Sequence, residues 1–225
     1  MCKIDRLLVI WGEPSTGTRH VIGHLTRSSG EFRFWYEDDL AHAQEHGFQM
    51  LPEFPMHRRA DDPYTGRYLF ALFAERIPAP TRRDAADMLA AWGVERPDDQ
   101  FEVLARSGGL RATDRLELAE YRPVDDDLSE PLEFRIAGRR RIAEAAPLAV
   151  DDAVSLRRER DNIADPAAVV VDRLGRRAGY VPRQYTRPLG GLIDGGVTLD
   201  GKVIREHVLP EDAGRLVVRV TSNRS

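Results

Sequence analysis

Cysteine is nearly absent from this sequence: Cys2 is the only one in 225 residues. A single thiol excludes an internal disulfide framework and a cysteine-built zinc site, and it fits a reducing, cytoplasmic setting. No apolar stretch approaches membrane-spanning length, and the N-terminal MCKIDRLLVIWGEP has too short an apolar run for a signal-peptide core. The expectation is a soluble protein with no membrane partner. Lysine is scarce as well. Nearly all of the 33 basic residues are arginine, which suits phosphate contacts and equally fits a GC-rich genome. No Ser/His/Asp spacing is recognisable, so nothing supports nucleophilic catalysis and the chain is expected not to be an enzyme.

What is present is enough for two cores. At 225 residues and 42% hydrophobic, the chain can hold one large domain or two small ones. The net charge of −4 hides a split: residues 131–225 carry 17 Lys+Arg against 13 Asp+Glu, or +4, and residues 1–130 carry 16 against 24, or −8. A mildly basic module joined to an acidic one describes the chain better than a weakly acidic globule.

Patterning gives an α+β fold. Arg6–Trp11, His20–Leu25 and Glu31–Tyr36 read as an antiparallel meander joined by Gly/Ser/Pro turns. Asp38–His46 permits a short helix stopped by Gly47, and Phe48–Pro63 is a proline-rich loop. Gly66–Ile77 places Leu69, Leu72, Phe73 and Ile77 at helical spacing. Thr81-Arg82-Arg83-Asp84 has the form of a capping box, opening a helix that would bury Met88, Leu89 and Trp92 and stop at Gly93. Asp98–Arg106 repeats that form, with Phe101 and Leu104 inward, and Leu116–Tyr121 returns as a strand. The expected N-terminal unit, residues 1–122, is an antiparallel sheet plus three helices. Residues 123–130, proline-led and acidic, form the expected linker. Beyond it, Leu132–Ile136, Ala153–Arg158, Ala168–Asp172, Arg177–Val181, Lys202–Glu206 and Arg215–Val220 are strands at the spacing of a small barrel or sandwich over residues 131–225. Pro188, Gly190 and Gly191 predict that any helix in Arg183–Asp194 is short, bent or begun late.

The stretch Leu156–Pro182 organises the second half: strand, charged turn, strand, glycine turn, strand. Its words are Arg158-Glu159-Arg160-Asp161-Asn162-Ile163-Ala164-Asp165-Pro166-Ala167-Ala168-Val169 and Gly179-Tyr180-Val181-Pro182. In these residues it resembles the HIRAN domain, a small OB-like barrel found in helicase-like DNA-repair ATPases and in stand-alone bacterial proteins. The N-terminal words Val21–Leu25, Leu69–Arg76 and Leu104–Asp114 resemble the corresponding part of those stand-alone proteins. The element order is also distantly similar to the N-terminal subdomain of HipA-type toxin kinases, without the kinase body, a phosphate loop or a metal-binding kinase aspartate.

The resemblance implies a DNA-binding barrel that holds single-stranded DNA or a DNA 3′ end. Asp165 matches the family aspartate that serves the terminal hydroxyl, with Asn162 three residues before it. Arg140 aligns with a phosphate- and base-contacting arginine, and Arg183 with a basic residue positioned for backbone phosphates. Arg141 and Ala164 stand where the family places stacking aromatics, so Tyr180 and Tyr185 are the nearest rings left. Each residue also has a plainer reading. Asp165 and Asn162 are turn chemistry in any fold, Tyr180 fits a packing role, and Arg183 fits a solvated surface.

Other strings read as structure. His42-Ala43-Gln44-Glu45-His46 spells H-x-x-E-H, but its short polar helix and missing third ligand make it a solvated face; no metal and no cofactor are expected. Ser107-Gly108-Gly109 is a helix stop, and Glu37–Asp39 and Asp125–Asp127 are turn and linker. The leading expectation is a non-enzymatic nucleic-acid-binding protein in DNA repair, processing or defence, using Arg140, Arg141, Asn162, Asp165, Tyr180 and Arg183. The alternative is a protein-interaction adaptor in a toxin–antitoxin or defence setting, with a protein partner recruited through the N-terminal unit.

Overall fold

The computed structural model describes residues 4–16, 18–111, 113–125, 127–139, 142–162, 165–207 and 215–223. The chain forms two compact units, Met1–Tyr121 and Arg122–Ser225. No helix among the described residues is long and apolar enough to cross a membrane.

The first unit is built on a five-stranded antiparallel sheet. Its strands are β1 (Arg6–Gly12), β2 (Arg19–Ser28), β3 (Glu31–Tyr36), β4 (Tyr64–Gly66) and β5 (Leu116–Glu120), in the order β4-β3-β2-β1-β5. β1 is buried on both faces over Leu7–Ile10, which explains its unbroken apolar run. Gly23 in β2 is demanded by packing, because a Cβ there would lie 2.5 Å from the Trp35 carbonyl and 3.0 Å from the Phe34 ring. The aromatic core closes over the sheet, with Phe34 and Phe54 rings 4.2 Å apart. Tyr36 pins the long loop: its hydroxyl donates to the Phe54 carbonyl at 2.8 Å and accepts from the Leu51 N–H at 2.9 Å.

Four helices among the described residues flank the sheet: α1 (Ala41–Glu45), α2 (Ala71–Ala74), α3 (Ala85–Ala91) and α4 (Gln100–Ser107). α4 follows its sequence signals closely. Asp99 accepts from the Phe101 and Glu102 N–H groups, Phe101 and Leu104 are fully buried, and Gly108 ends the helix at φ 77°. α2 is a single turn rather than the longer helix that the spacing of Leu69–Ile77 predicts. Glu53, reaching from the preceding loop, accepts from the Ala71 and Leu72 N–H groups at its start. The capping box before α3 does not form. Asp84 makes no cap bond, because its carboxylate is paired with Arg82, and only Trp92 of the three expected residues is buried while Met88 and Leu89 remain half-exposed.

The second unit is a six-stranded antiparallel sheet curled on itself. β6 (Leu132–Arg135), β7 (Ala153–Arg158), β8 (Val169–Arg173), β9 (Arg176–Tyr180), β10 (Thr198–His207) and β11 (Arg215–Asn223) run in the order β6-β11-β10-β7-β8-β9. Among the described residues the two edges pair at one residue pair just past β6. Ala137 and Tyr180 exchange both backbone bonds, at 2.8 and 2.9 Å. The approach needs glycine: a Cβ on Gly179 would lie 2.1 Å from the Ile136 side chain. Leu174 and Gly175, at φ 52° and 79°, make the two-residue turn joining β8 to β9, whose handedness matches strand twist. The core is aliphatic, with Val169, Val171, Leu189, Val203 and Val218 fully buried and Leu128 of the preceding segment packed among them.

Helix α5 (Arg183–Asp194) is neither short nor begun late: it runs twelve residues with Pro188 inside. An interior proline costs about 3 kcal/mol. Burial of Tyr185, Leu189 and Leu192, at roughly 1.5–3 kcal/mol each, outweighs that. A Cβ on Gly190 would press on the Arg158 guanidinium at 3.0 Å, so glycine lets that side chain lie close against α5.

Candidate nucleic-acid interface

The outward face of β7, β8 and β9 carries the polar cluster. Side chains alternate along a strand, so Arg157 and the Glu159 that follows β7 share one face. Across the sheet Arg157, Val170 and Tyr180 lie in register, and Asp172 stands opposite Arg177. Arg157 Nε donates to Asp172 Oδ2 at 3.0 Å.

Glu159 is the hub. Its carboxylate is buried, and Oε2 accepts from Asn162 Nδ2 at 2.7 Å and from the Tyr180 hydroxyl at 2.8 Å. Arg177 pairs with Oε1. Asn162 then turns the chain, its Oδ1 accepting from the Asp165 N–H at 3.0 Å. Asp165 Oδ1 accepts from the Ala167 N–H at 2.9 Å and the Asp165 carbonyl from the Ala168 N–H at 2.8 Å. From inside, Arg158 fastens the same turn, donating to the Ala167 carbonyl at 2.5 Å and pairing with Asp194 of α5 at 3.3 Å. Burial and the adjacent Glu159 carboxylate hold the Tyr180 phenol above its ordinary range, so it stays neutral and a donor through physiological pH.

Three of the sequence-predicted residues therefore come together. Asn162 and Tyr180 both donate to the Glu159 carboxylate, with Asn162 Nδ2 3.5 Å from the Tyr180 hydroxyl, and Asp165 is tied to this pair through its N–H on Asn162 Oδ1. Asp165 serves the turn through Oδ1, while its Oδ2 has no partner among the described residues. Arg183 opens α5 directly after Val181-Pro182; it is exposed, and its side chain has no partner among the described residues. Arg140 and Arg141 lie outside the described residues. The neighbouring Arg139 is structural: it donates to the Ala178 carbonyl at 2.7 Å and the Ala146 carbonyl at 3.2 Å.

Sequence reasoning missed Glu159, Arg157, Arg177 and Arg187. The alternation of β7 carried a signal for the first two. Arg187 follows Arg183 by one helical turn, and both are exposed on α5. The distinction matters electrostatically. Arg157 and Arg177 are already paired with Asp172 and Glu159, whereas Arg183 and Arg187 have no ion pair among the described residues.

Comparison with known proteins bears on the same half. Residues 130–221 match the family model described as the HIRAN domain. Two solved structures resemble it. The HIRAN domain of human HLTF is 19% identical, covering 41% of this chain and 74% of that one with a TM-score of 0.35. A Lactobacillus plantarum protein from a structural genomics programme is 25% identical, covering 41% of this chain and 99% of that one with a TM-score of 0.31. No curated protein matches the chain.

Proposed function

From a HIRAN domain at residues 130–221, we propose that the second unit is a DNA-binding module and that the protein acts by binding rather than by catalysis. The family match supports DNA binding in general. The finer reading is capture of a single strand or a 3′ end at the Glu159-centred turn, in repair, processing or defence of DNA. The observation that carries it is the convergence of Asn162 and Tyr180 on one buried carboxylate, with Asp165 tied to Asn162, beside the exposed start of α5. In this reading Asp165 Oδ2 accepts from a terminal 3′-hydroxyl, Tyr180 offers the edge of a ring to the last base, and Arg183 with Arg187 tracks the phosphates. Glu159 touches no DNA; it fixes the groups that do.

Labelled oligonucleotides with a free or phosphate-blocked 3′ end test this at fixed salt. Free-ended strands should bind at least several-fold tighter, and Asp165→Ala should abolish that preference while leaving overall affinity within a few-fold. Equal affinity for both ends in the native protein removes the end-capture reading. No binding to any DNA removes the DNA reading and leaves the adaptor alternative.

A further inference from the structure

The first unit gathers three histidines and a buried glutamate that the DNA reading does not use. Glu13 follows β1 directly, and His20 lies on β2 opposite Trp11. α1 carries His42, and His46 caps its end. We infer that Glu13, His20, His42 and His46 form a binding site for one divalent transition-metal ion, zinc foremost.

The spacing is that of ligands around a shared centre. Ring centroids are 5.1 Å apart for His20–His42, 5.9 Å for His20–His46 and 4.7 Å for His42–His46. Three imidazoles bound tetrahedrally at about 2.1 Å would place their centroids about 5 Å apart. Glu13 supplies the fourth donor, with Oε2 3.9 Å from His20 Nε2 and Oε1 3.6 Å from His46 Nδ1. Donors on one tetrahedral zinc stand about 3.3 Å apart. No group of described residues is already set to hold a metal ion; the Glu13–His46 pair is wide of ligand spacing by about 0.3 Å, which a torsion of the exposed His46 side chain can close, and the Glu13–His20 pair by about 0.6 Å, which requires the Glu13 carboxylate to turn toward the ion. Those two side chains are 54% and 40% exposed, so the site is open to solvent on one side and anchored on the other by buried Glu13 and His20.

An outer layer of partners surrounds the donors. Ser15 and Thr16 donate to the two Glu13 oxygens at 2.5 and 2.7 Å, and Glu45 Oε2 stands 4.0 Å from His42 Nδ1. Carboxylates and hydroxyls of this kind orient ligands in metal sites. Three imidazoles and one carboxylate, with no thiolate, select zinc, cobalt, nickel or copper over magnesium or calcium. H-x-x-E-H thus gains the two ligands it lacks in sequence from residues more than twenty positions upstream, and Glu45 becomes an outer partner, not a base for bound water.

Full-length protein, stripped with chelator and dialysed against zinc chloride, tests the inference by metal analysis and native mass spectrometry. One zinc per chain is expected, and cobalt should give the visible ligand-field bands of a tetrahedral site. His42→Ala and His46→Ala, at exposed positions, should each weaken binding at least tenfold with the circular dichroism unchanged. His57→Ala should leave binding as it was. Failure of the folded native chain to take up one zinc overturns the inference. Uptake that His42→Ala and His46→Ala both leave unaltered overturns it too.

Discussion

In Met1–Tyr121 the core is made of rings: Phe34, Tyr36, Phe54, Phe73 and Phe101 are all fully buried and mostly in contact with one another. In Arg122–Ser225 the same role falls to valine and leucine, and Phe134 is the only phenylalanine beyond residue 121, with no tryptophan at all. The contrast sets what each half can do at its surface. Strand binding by small barrels ordinarily draws about 1–3 kcal/mol from each base stacked on an aromatic ring. The second unit has Phe134 and Tyr185 inside its core and only Tyr180 half-exposed. Under the proposed function its affinity for DNA would then rest on arginine and phosphate, and so depend more steeply on salt than that of a stacking platform. The ring-rich unit is instead suited to a rigid frame that holds polar groups at fixed spacing, as it does around Glu13.

The contrast can be broken by experiment. The largest effect is expected from Phe34→Ala, which empties the centre of the ring cluster and should cost about 3–5 kcal/mol. Chemical denaturation followed by tryptophan fluorescence reads it cleanly, because Trp11, Trp35 and Trp92 all belong to the first unit. DNA affinity near neutral pH should be unchanged; a parallel loss would mean that the rings serve both halves. Glu159→Ala should remove about 3 kcal/mol from the second unit by stranding Arg177, Asn162 and Tyr180. Tyrosine fluorescence or hydrogen exchange would register it, and 3′-end preference should vanish with it.

Alkaline stability gives a third, smaller test. Burial pushes the Tyr36 phenol up to about 12. The unfolded chain loses that proton near pH 10 while the folded chain keeps it, so stability is full below pH 10 and falls as pH rises toward 12, by on the order of 2–3 kcal/mol. The first unit should lose stability over that window, and Tyr36→Phe should flatten the dependence. Tyr180 is raised as well, with Glu159 contributing, so the second unit should show the same sign. The smallest effect belongs to the surface. Arg183→Ala and Arg187→Ala should each lower the slope of log affinity against log salt by about 1, measured by anisotropy titration. Slopes that do not move would place the phosphates elsewhere.

Local signals carry much of this architecture. The Val169–Val171 run, the Gly175 turn and the alternation of β7 are enough to mark the hairpins, and Gly108 marks the end of α4, whose start the sequence places at Asp98, one residue before the Asp99 cap. Failures arise where distant residues overrule local preference. Glu53 starts α2 from outside the helix, Arg82 takes the carboxylate that would have capped α3, and buried Leu189 and Leu192 carry α5 through Pro188. β4 has only three residues and no pattern of its own. The site is legible to the extent that it lies in one turn, as with Asn162 and Asp165. Glu159 escapes because burial makes it a hub, and burial is a property of the packed sheet. Glu13 and His20 escape as companions of His42 because nothing in their spacing joins them.

Among the described residues one residue pair, Ala137 with Tyr180, pairs the two sheet margins, and this has a kinetic consequence. Two sheet margins latched by one rung can part without unravelling either strand, so the Ala137 and Tyr180 amides should trade their protons for deuterium sooner than the Val169–Val171 amides. A strand end seated at Tyr180 would tighten the latch and slow that exchange. The protection of two amides thus becomes a residue-level gauge of occupancy, independent of any label on the DNA.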